Sequence, residues 1–178
     1  MAGMTPDELI EMMASHFCLR SEDGCFSADD MYDYLIYRDE KGSGTNGGTF
    51  TLGAWRTRTL NTEVLDTGGH GTLAANQVTL AAGTYIIEAS APAHDTDSHQ
   101  IRWYNVTDAA EECAGTSEYS GRSEVVTRSV ITDTFTITSS KAFRLEHRAQ
   151  TTQLNTGFGI ACGWTTEVFA EVKLTKIA

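Results

Sequence analysis

Leu80-Ala81-Ala82-Gly83-Thr84-Tyr85-Ile86-Ile87-Glu88-Ala89-Ser90-Ala91 is the stretch on which the reading of this chain turns. Tyr85, Ile87, Ala89 and Ala91 fall on one side of an extended backbone and Ile86, Glu88 and Ser90 on the other, the period of two that marks a strand. Gly83 supplies the turn into it. Pro92 has no N–H to give to a ladder and predicts where a central strand stops.

Working outward, the same alternation recurs. Ile101 and Trp103 alternate with Arg102 and Tyr104, Val125 to Ile131 forms a further run, and Phe135 and Ile137 alternate with threonines. Phe143, Leu145 and Ala149 alternate with Arg144, Glu146, Arg148 and Gln150, leaving His147 on the apolar face as a core or interface histidine. Val168, Ala170, Val172 and Leu174 alternate with Phe169, Glu171 and Lys173. Upstream, Thr49 to Leu60 carries Phe50, Leu52 and Trp55, with Gly53 where a bulge would shift the register. Many short strands with turn residues between them predict a mainly β protein, an antiparallel jelly-roll β-sandwich over residues 49–178. Several strands carry apolar residues on both faces. Tyr85, Ile86, Tyr104, His147 and Phe169 are therefore the expected contacts with another subunit.

Residues 1–38 read differently. Thr5-Pro6-Asp7-Glu8 has the cap, first-turn proline and capping-box glutamate of a helix start, and Leu9, Met12, Met13, His16 and Phe17 follow at helical spacing. Ser27-Ala28-Asp29-Asp30 opens a second helix on which Met31, Tyr34 and Leu35 share a face. Such a short helical hairpin buries little alone, so its apolar face (Leu9, Met12, Met13, Phe17, Met31, Tyr34 and Leu35) is expected to attach the chain to something else. The turn at Gly24 resembles a calcium loop, but Leu19 stands where the first oxygen ligand belongs and Asp30 where a bidentate glutamate belongs, so the capped hairpin is the better reading. Residues 39–48, Asp-Glu-Lys-Gly-Ser-Gly-Thr-Asn-Gly-Gly, read as a glycine-rich linker.

The net charge of −11 gathers in the first quarter, where three Lys or Arg stand against ten Asp or Glu between Met1 and Gly44. With no basic patch, this argues against nucleic acid as a partner. Apolar runs are too short to span a bilayer, which argues against membrane insertion, and the acidic N-terminal residues do not resemble a signal peptide. Cys18, Cys25, Cys113 and Cys162 have neither disulfide-framework nor zinc spacing, and reduced thiols are expected; a Cys18–Cys25 bridge would need an oxidising compartment.

Two long runs, Gly47-Gly48-Thr49-Phe50-Thr51-Leu52-Gly53-Ala54-Trp55-Arg56-Thr57-Arg58-Thr59-Leu60-Asn61-Thr62 and Leu80 to Ala93, together with the closing Glu167-Val168-Phe169-Ala170-Glu171-Val172-Lys173-Leu174, carry a resemblance. They resemble a module of tailed-bacteriophage and prophage structural proteins, itself similar to the jelly roll of tumour necrosis factor (TNF) and the complement globular heads. The resemblance implies a homotrimer displayed on the exterior of a virion assembled in the host cytoplasm, as a spike, head fibre or tail fibre. It further implies attachment to capsid or tail proteins through the N-terminal segment, and host attachment through a surface glycan or receptor. A decoration or adaptor protein with no receptor binding is the alternative it leaves open.

The loop His94-Asp95-Thr96-Asp97-Ser98-His99 gathers the best ligand-like cluster, with His94, Asp95, Asp97 and His99 as candidates for a sugar or cation. No metal or cofactor is expected, since a polar turn after a proline commonly looks like this. Arg102, Trp103 and Tyr104 have the chemistry to stack on a sugar, but packing in the sandwich or a trimer is the expected use. Glu111, Glu112 and Glu118 are near one another without a spacing that would fix two carboxylates for glycoside hydrolysis, and no nucleophile elbow or P-loop is present, so no enzyme is expected.

Overall fold

The computed structural model describes residues 20–21, 24–25, 32–121 and 124–178. The strands β1 (Arg20–Ser21) and β2 (Gly24–Cys25) form a minimal antiparallel pair within Met1–Tyr32, a unit separate from Asp33–Ala178. The second unit begins with β3 (Asp33–Lys41), β4 (Arg56–Thr57), β5 (Thr62–Asp66), β6 (Gly71–Ala74), β7 (Gln77–Leu80) and β8 (Gly83–His94). It continues with β9 (Asp97–Asn105), β10 (Ala110–Ala114), β11 (Glu118–Ser120), β12 (Val126–Ile137), β13 (Lys141–Ala149) and β14 (Glu167–Lys176). Among the described residues there is no helix, and so none long and apolar enough to cross a membrane.

These strands build two antiparallel sheets. One runs β12-β8-β14-β3-β5; the other runs β10-β9-β13-β7-β6, with β11 added to β9 and β4 to β13. The alternation read from the sequence decides which faces meet. Leu35, Tyr85, Ile87, Ile131, Val172 and Leu174 point inward from the first sheet, and Val78, Leu80, Ile101, Trp103, Phe143 and Leu145 from the second. The rings of Trp103 and Phe143 stack 5.4 Å apart, and Phe135 bridges Phe143 to Tyr85. Each fully buried side chain of this size contributes roughly 1.5–3 kcal/mol of transfer free energy, which is what holds the sheets together. A second cluster, Phe50, Ala93, Ala149 and Phe158, closes one end.

Five expectations are corrected. Tyr34 and Leu35 do not lie on a helix: they belong to β3, paired with β14, with Leu35 in the core and Tyr34 outside. Tyr34-Leu35-Ile36-Tyr37 fits a half-buried pleated surface, and the free edge of β14 decides the matter over helical spacing. The body therefore starts at Asp33, not Thr49. Residues 39–48 are not a free linker. Asp39 is buried at the end of β3, and the N–H groups of Gly47 and Gly48 donate to the carbonyls of Gly159 and Asn155. The approach is so close that a Cβ on Gly47 would sit 2.6 Å from the Phe158 carbonyl carbon.

Pro92 does not end its strand, which runs on to His94. The ladder with β14 stops at Ser90, so from Pro92 onward β8 has only β12 beside it, the edge condition that tolerates proline. A register shift between Val168 and Glu171 buries Phe169 together with Ala170 and leaves Val168 outside, the reverse of strict alternation.

Candidate functional site

The cluster read from His94 to His99 does not converge. Two residues separate β8 from β9, and Asp95 and Asp97 take positive φ values of 50° and 58° to make the turn. The Asp95 carboxylate accepts the N–H groups of Glu124 and Val125, at 3.4 and 3.2 Å. Asp97 accepts from the hydroxyls of Thr151 and Tyr119. His94 lies 2.9 Å from the Thr156 hydroxyl, and buried His99 lies 3.0 Å from His147 and 2.7 Å from the Thr127 hydroxyl. Within the cluster only His94 Nε2 and an Asp95 carboxylate oxygen come near each other, at 3.6 Å, and among the described residues no group of three or more His, Cys, Asp or Glu is placed to hold a metal.

The expected subunit contacts also separate. Tyr85, His147 and Phe169 are buried inside the chain, so they are corrected to core residues. Ile86 and Tyr104 remain partly exposed, on the outer faces of opposite sheets. Leu9, Met12, Met13, Phe17 and Met31 lie outside the described residues, as does any Cys18–Cys25 pairing. Among the three glutamates, Glu111 faces Arg102 at 3.5 Å, Glu112 accepts from Asn105, and Glu118 accepts from the Thr116 hydroxyl. They form no carboxylate pair.

The outer face of the larger sheet holds what the chain order hides. Its central strands β9 and β13 pair Gln100 with Arg148 on the outside, and these two side chains floor an open groove of about 750 Å³. One wall is the segment before β4, with Leu52 and Trp55; the other is β11, with Glu118 and Tyr119. Tyr119 is 61% exposed and Leu52 49%, so both walls present apolar surface to solvent.

One end of the groove is fixed by charge. Glu146 on β13 is 2% exposed yet sits on the outer face, because Arg102 and Arg144 each close on one of its oxygens through two nitrogens at 2.6–2.7 Å. The Arg102 guanidinium stacks 4.3 Å from the Trp55 ring and 4.5 Å from Tyr104. This locks the indole in place from beneath. Trp103, grouped with Arg102 and Tyr104 in the sequence, points the other way into the core.

The remaining groove residues lay beyond sequence reasoning because its walls come from chain segments far apart. The signal that existed was local: an aromatic residue beside glycine in Gly53-Ala54-Trp55 and in Tyr119-Ser120-Gly121, outside any long alternating run.

No family model and no curated protein sequence matches the chain. Among solved structures, the fold is similar to that of murine APRIL at pH 5.0, with a TM-score of 0.52 and 9% identity over 82% of this chain and 98% of that one. Murine APRIL at pH 8.0 aligns with a TM-score of 0.48 and 10% identity over 82% of this chain and 98% of that one. The globular domain of zebrafish complement 1qA protein aligns at 0.45 and 10% identity, over 83% and 96% of the two chains. The architecture is an antiparallel jelly-roll sandwich whose fold is similar to that of murine APRIL.

Proposed function

We propose that this chain is a binding protein rather than an enzyme: a homotrimeric jelly roll displayed on the outside of a tailed-phage particle, which contacts a glycan or receptor on the host surface. The observation that carries the reading is the open groove walled by Leu52, Trp55 and Tyr119 on a sheet face otherwise ordered by ion pairs. Exposed aromatic walls over a polar floor suit a ligand that is stacked and hydrogen-bonded. The sequence resemblance of Gly47–Thr62, Leu80–Ala93 and Glu167–Leu174 to phage structural proteins supplies the setting.

Assembly as a trimer fits the placement of Ile86 and Tyr104 on opposite outer faces. A ring closed by a threefold axis joins two different surfaces of each subunit, unlike a twofold contact. Residues 1–32 are the part assigned to capsid or tail attachment.

The test is the solution mass of the full chain by light scattering, followed by competition with phage for adsorption to host cells. A three-chain mass and blocked adsorption support the reading. A trimer that blocks nothing but rebinds particles depleted of it would instead mark a decoration or adaptor protein.

A further inference from the structure

We infer that the groove takes an acidic saccharide, pairing a sugar carboxylate with Arg148 while Trp55 and Tyr119 pack against the pyranose rings. This rests on reading the groove as the host-contact surface, and it names the ligand class that the groove would select.

One charge on the groove floor is unpaired. Arg38 pairs with Glu171, Arg102 and Arg144 with Glu146, and Arg56, Arg58 and Arg128 donate to backbone carbonyls. Arg148 alone among the arginines whose side chains are described makes no hydrogen bond or ion pair, and it is exposed at the groove floor. In a chain of net charge −11, a guanidinium left without a carboxylate is unusual, because acidic side chains outnumber basic ones nearly two to one. Its planar fork matches a carboxylate, with two parallel N–H···O bonds.

The groove also excludes other classes of ligand. The backbones of β9 and β13 are already paired with each other along the floor, from Phe143–Asn105 to Ala149–His99, so no free edge exists for an extended peptide to add as a strand. A wholly apolar ligand would strand the Ser98 hydroxyl and the Arg148 guanidinium on that floor, where Gln100 already donates an amide N–H to the Gly115 carbonyl. A polyphosphate or nucleic acid needs several cations, and among the described residues the groove lining holds one free arginine, with Glu118 in its wall. A pyranose acid uses each part: ring faces on Trp55 and Tyr119, hydroxyls on Gln100, Ser98 and Glu118, and one carboxylate on Arg148.

The test titrates the full chain with 3′-sialyllactose and trigalacturonic acid, and with lactose and maltotriose as neutral counterparts, following tryptophan emission and calorimetry. Arg148→Gln should lower affinity for the acidic sugars about tenfold or more, the weight of a charge-assisted contact, and lower any neutral-sugar binding much less. Trp55→Ala should weaken both classes. Because Arg148 has no partner among the described residues, Arg148→Gln should unfold with the wild type, checked by circular dichroism. Equal affinity for acidic and neutral sugars, acidic-sugar binding untouched by Arg148→Gln, or no acidic-sugar binding at millimolar concentration each overturns the inference. If the full chain still blocks adsorption in that last case, the acidic-sugar assignment fails while the host-contact reading stands. If it binds acidic sugar but blocks nothing, the reverse holds.

Discussion

The imidazoles of His99 and His147 face each other across β9 and β13, Nδ1 to Nε2 at 3.0 Å, inside the sandwich rather than on its surface. One proton between two ring nitrogens makes this contact attractive; two would set N–H against N–H. The far nitrogen of His99 lies 2.7 Å from the Thr127 hydroxyl, while His147 Nδ1 is buried with no partner. Phe50 packs on the His147 ring at 4.7 Å. Burial, with Arg58 adding to it against the opposing pull of Glu118, lowers the His99 pKa to about 4. Burial first, then Arg58 and His99, holds His147 well below its ordinary value.

The sign of the pH dependence follows. Unfolded histidines titrate near 6.5, so between about 6.5 and 4 the unfolded chain holds more protons than the folded one. Stability is full above that window and falls as pH drops through it. Urea midpoints at pH 7.5 and 5.0 should therefore differ clearly, and His147→Phe should flatten the difference. Equal midpoints in the wild type would contradict a neutral buried pair.

Arg58 is the second buried polar device. It is fully covered, donates to the carbonyls of Pro92 at 3.3 Å and Phe158 at 3.0 Å, lies 4.3 Å over the Phe158 ring and 3.9 Å from Asp39. It thus ties β8 to the loop before β14 and balances a buried carboxylate. Arg58→Ala leaves Asp39 with Lys41 alone and opens a cavity, so a loss of about 3 kcal/mol or more is expected from thermal unfolding. Arg58→Met with Asp39→Asn, which removes both charges and keeps the stem, should cost less than the sum of the two single changes.

The strands that could be read in advance are those whose partners share their pattern. β8, β9 and β13 alternate cleanly because each has one face in the core, and His147 fell on the apolar face where the structure has it. What escaped depends on geometry that alternation does not encode. β3 was hidden behind a helix-like cap at Ser27, and Phe169 behind a bulge that turns two consecutive residues inward. The Phe135–Ile137 and Val125–Ile131 runs looked separate, yet Val126–Ile137 is one strand: Thr132 and Thr134 continue its outer side, and an exposed Asp133 interrupts the apolar side between Ile131 and Phe135. The groove was least legible, since Trp55, Gln100, Tyr119 and Arg148 meet only through the order of strands in the sheet.

The thiols should separate by exposure. Cys113 is buried against the core, and burial with the nearby carboxylate of Asp133 pushes its pKa up to about 12, leaving a neutral, shielded thiol. Cys162 is free and exposed. Alkylation of the native protein at pH 8 followed by peptide mapping should modify Cys162 and spare Cys113, which reacts only after unfolding. Rapid labelling of Cys113 in the native state would mean that β10 opens from the sandwich.

The last prediction concerns assembly. The outer face of the smaller sheet sets Tyr34, Ile36, Ile86 and Val130 among the cross-strand ion pairs Arg38–Glu171 and Lys173–Glu88. Exposed pairs of this kind contribute less than about 1 kcal/mol each to the isolated chain, so the apolar residues between them must supply the drive to associate. Ile86 is flanked by Thr175 and Thr134, short side chains that leave it accessible, and the opposite side of the strand at Tyr85 and Ile87 packs the core. Ile86→Glu should therefore dissociate the proposed trimer to single chains by light scattering and leave the β-sheet circular dichroism spectrum unchanged. Tyr104→Glu tests the opposite face in the same way, because a threefold ring needs both surfaces. A monomeric wild type at micromolar concentration would refute the ring, and a trimer that survives both substitutions would move its contacts elsewhere on the sandwich.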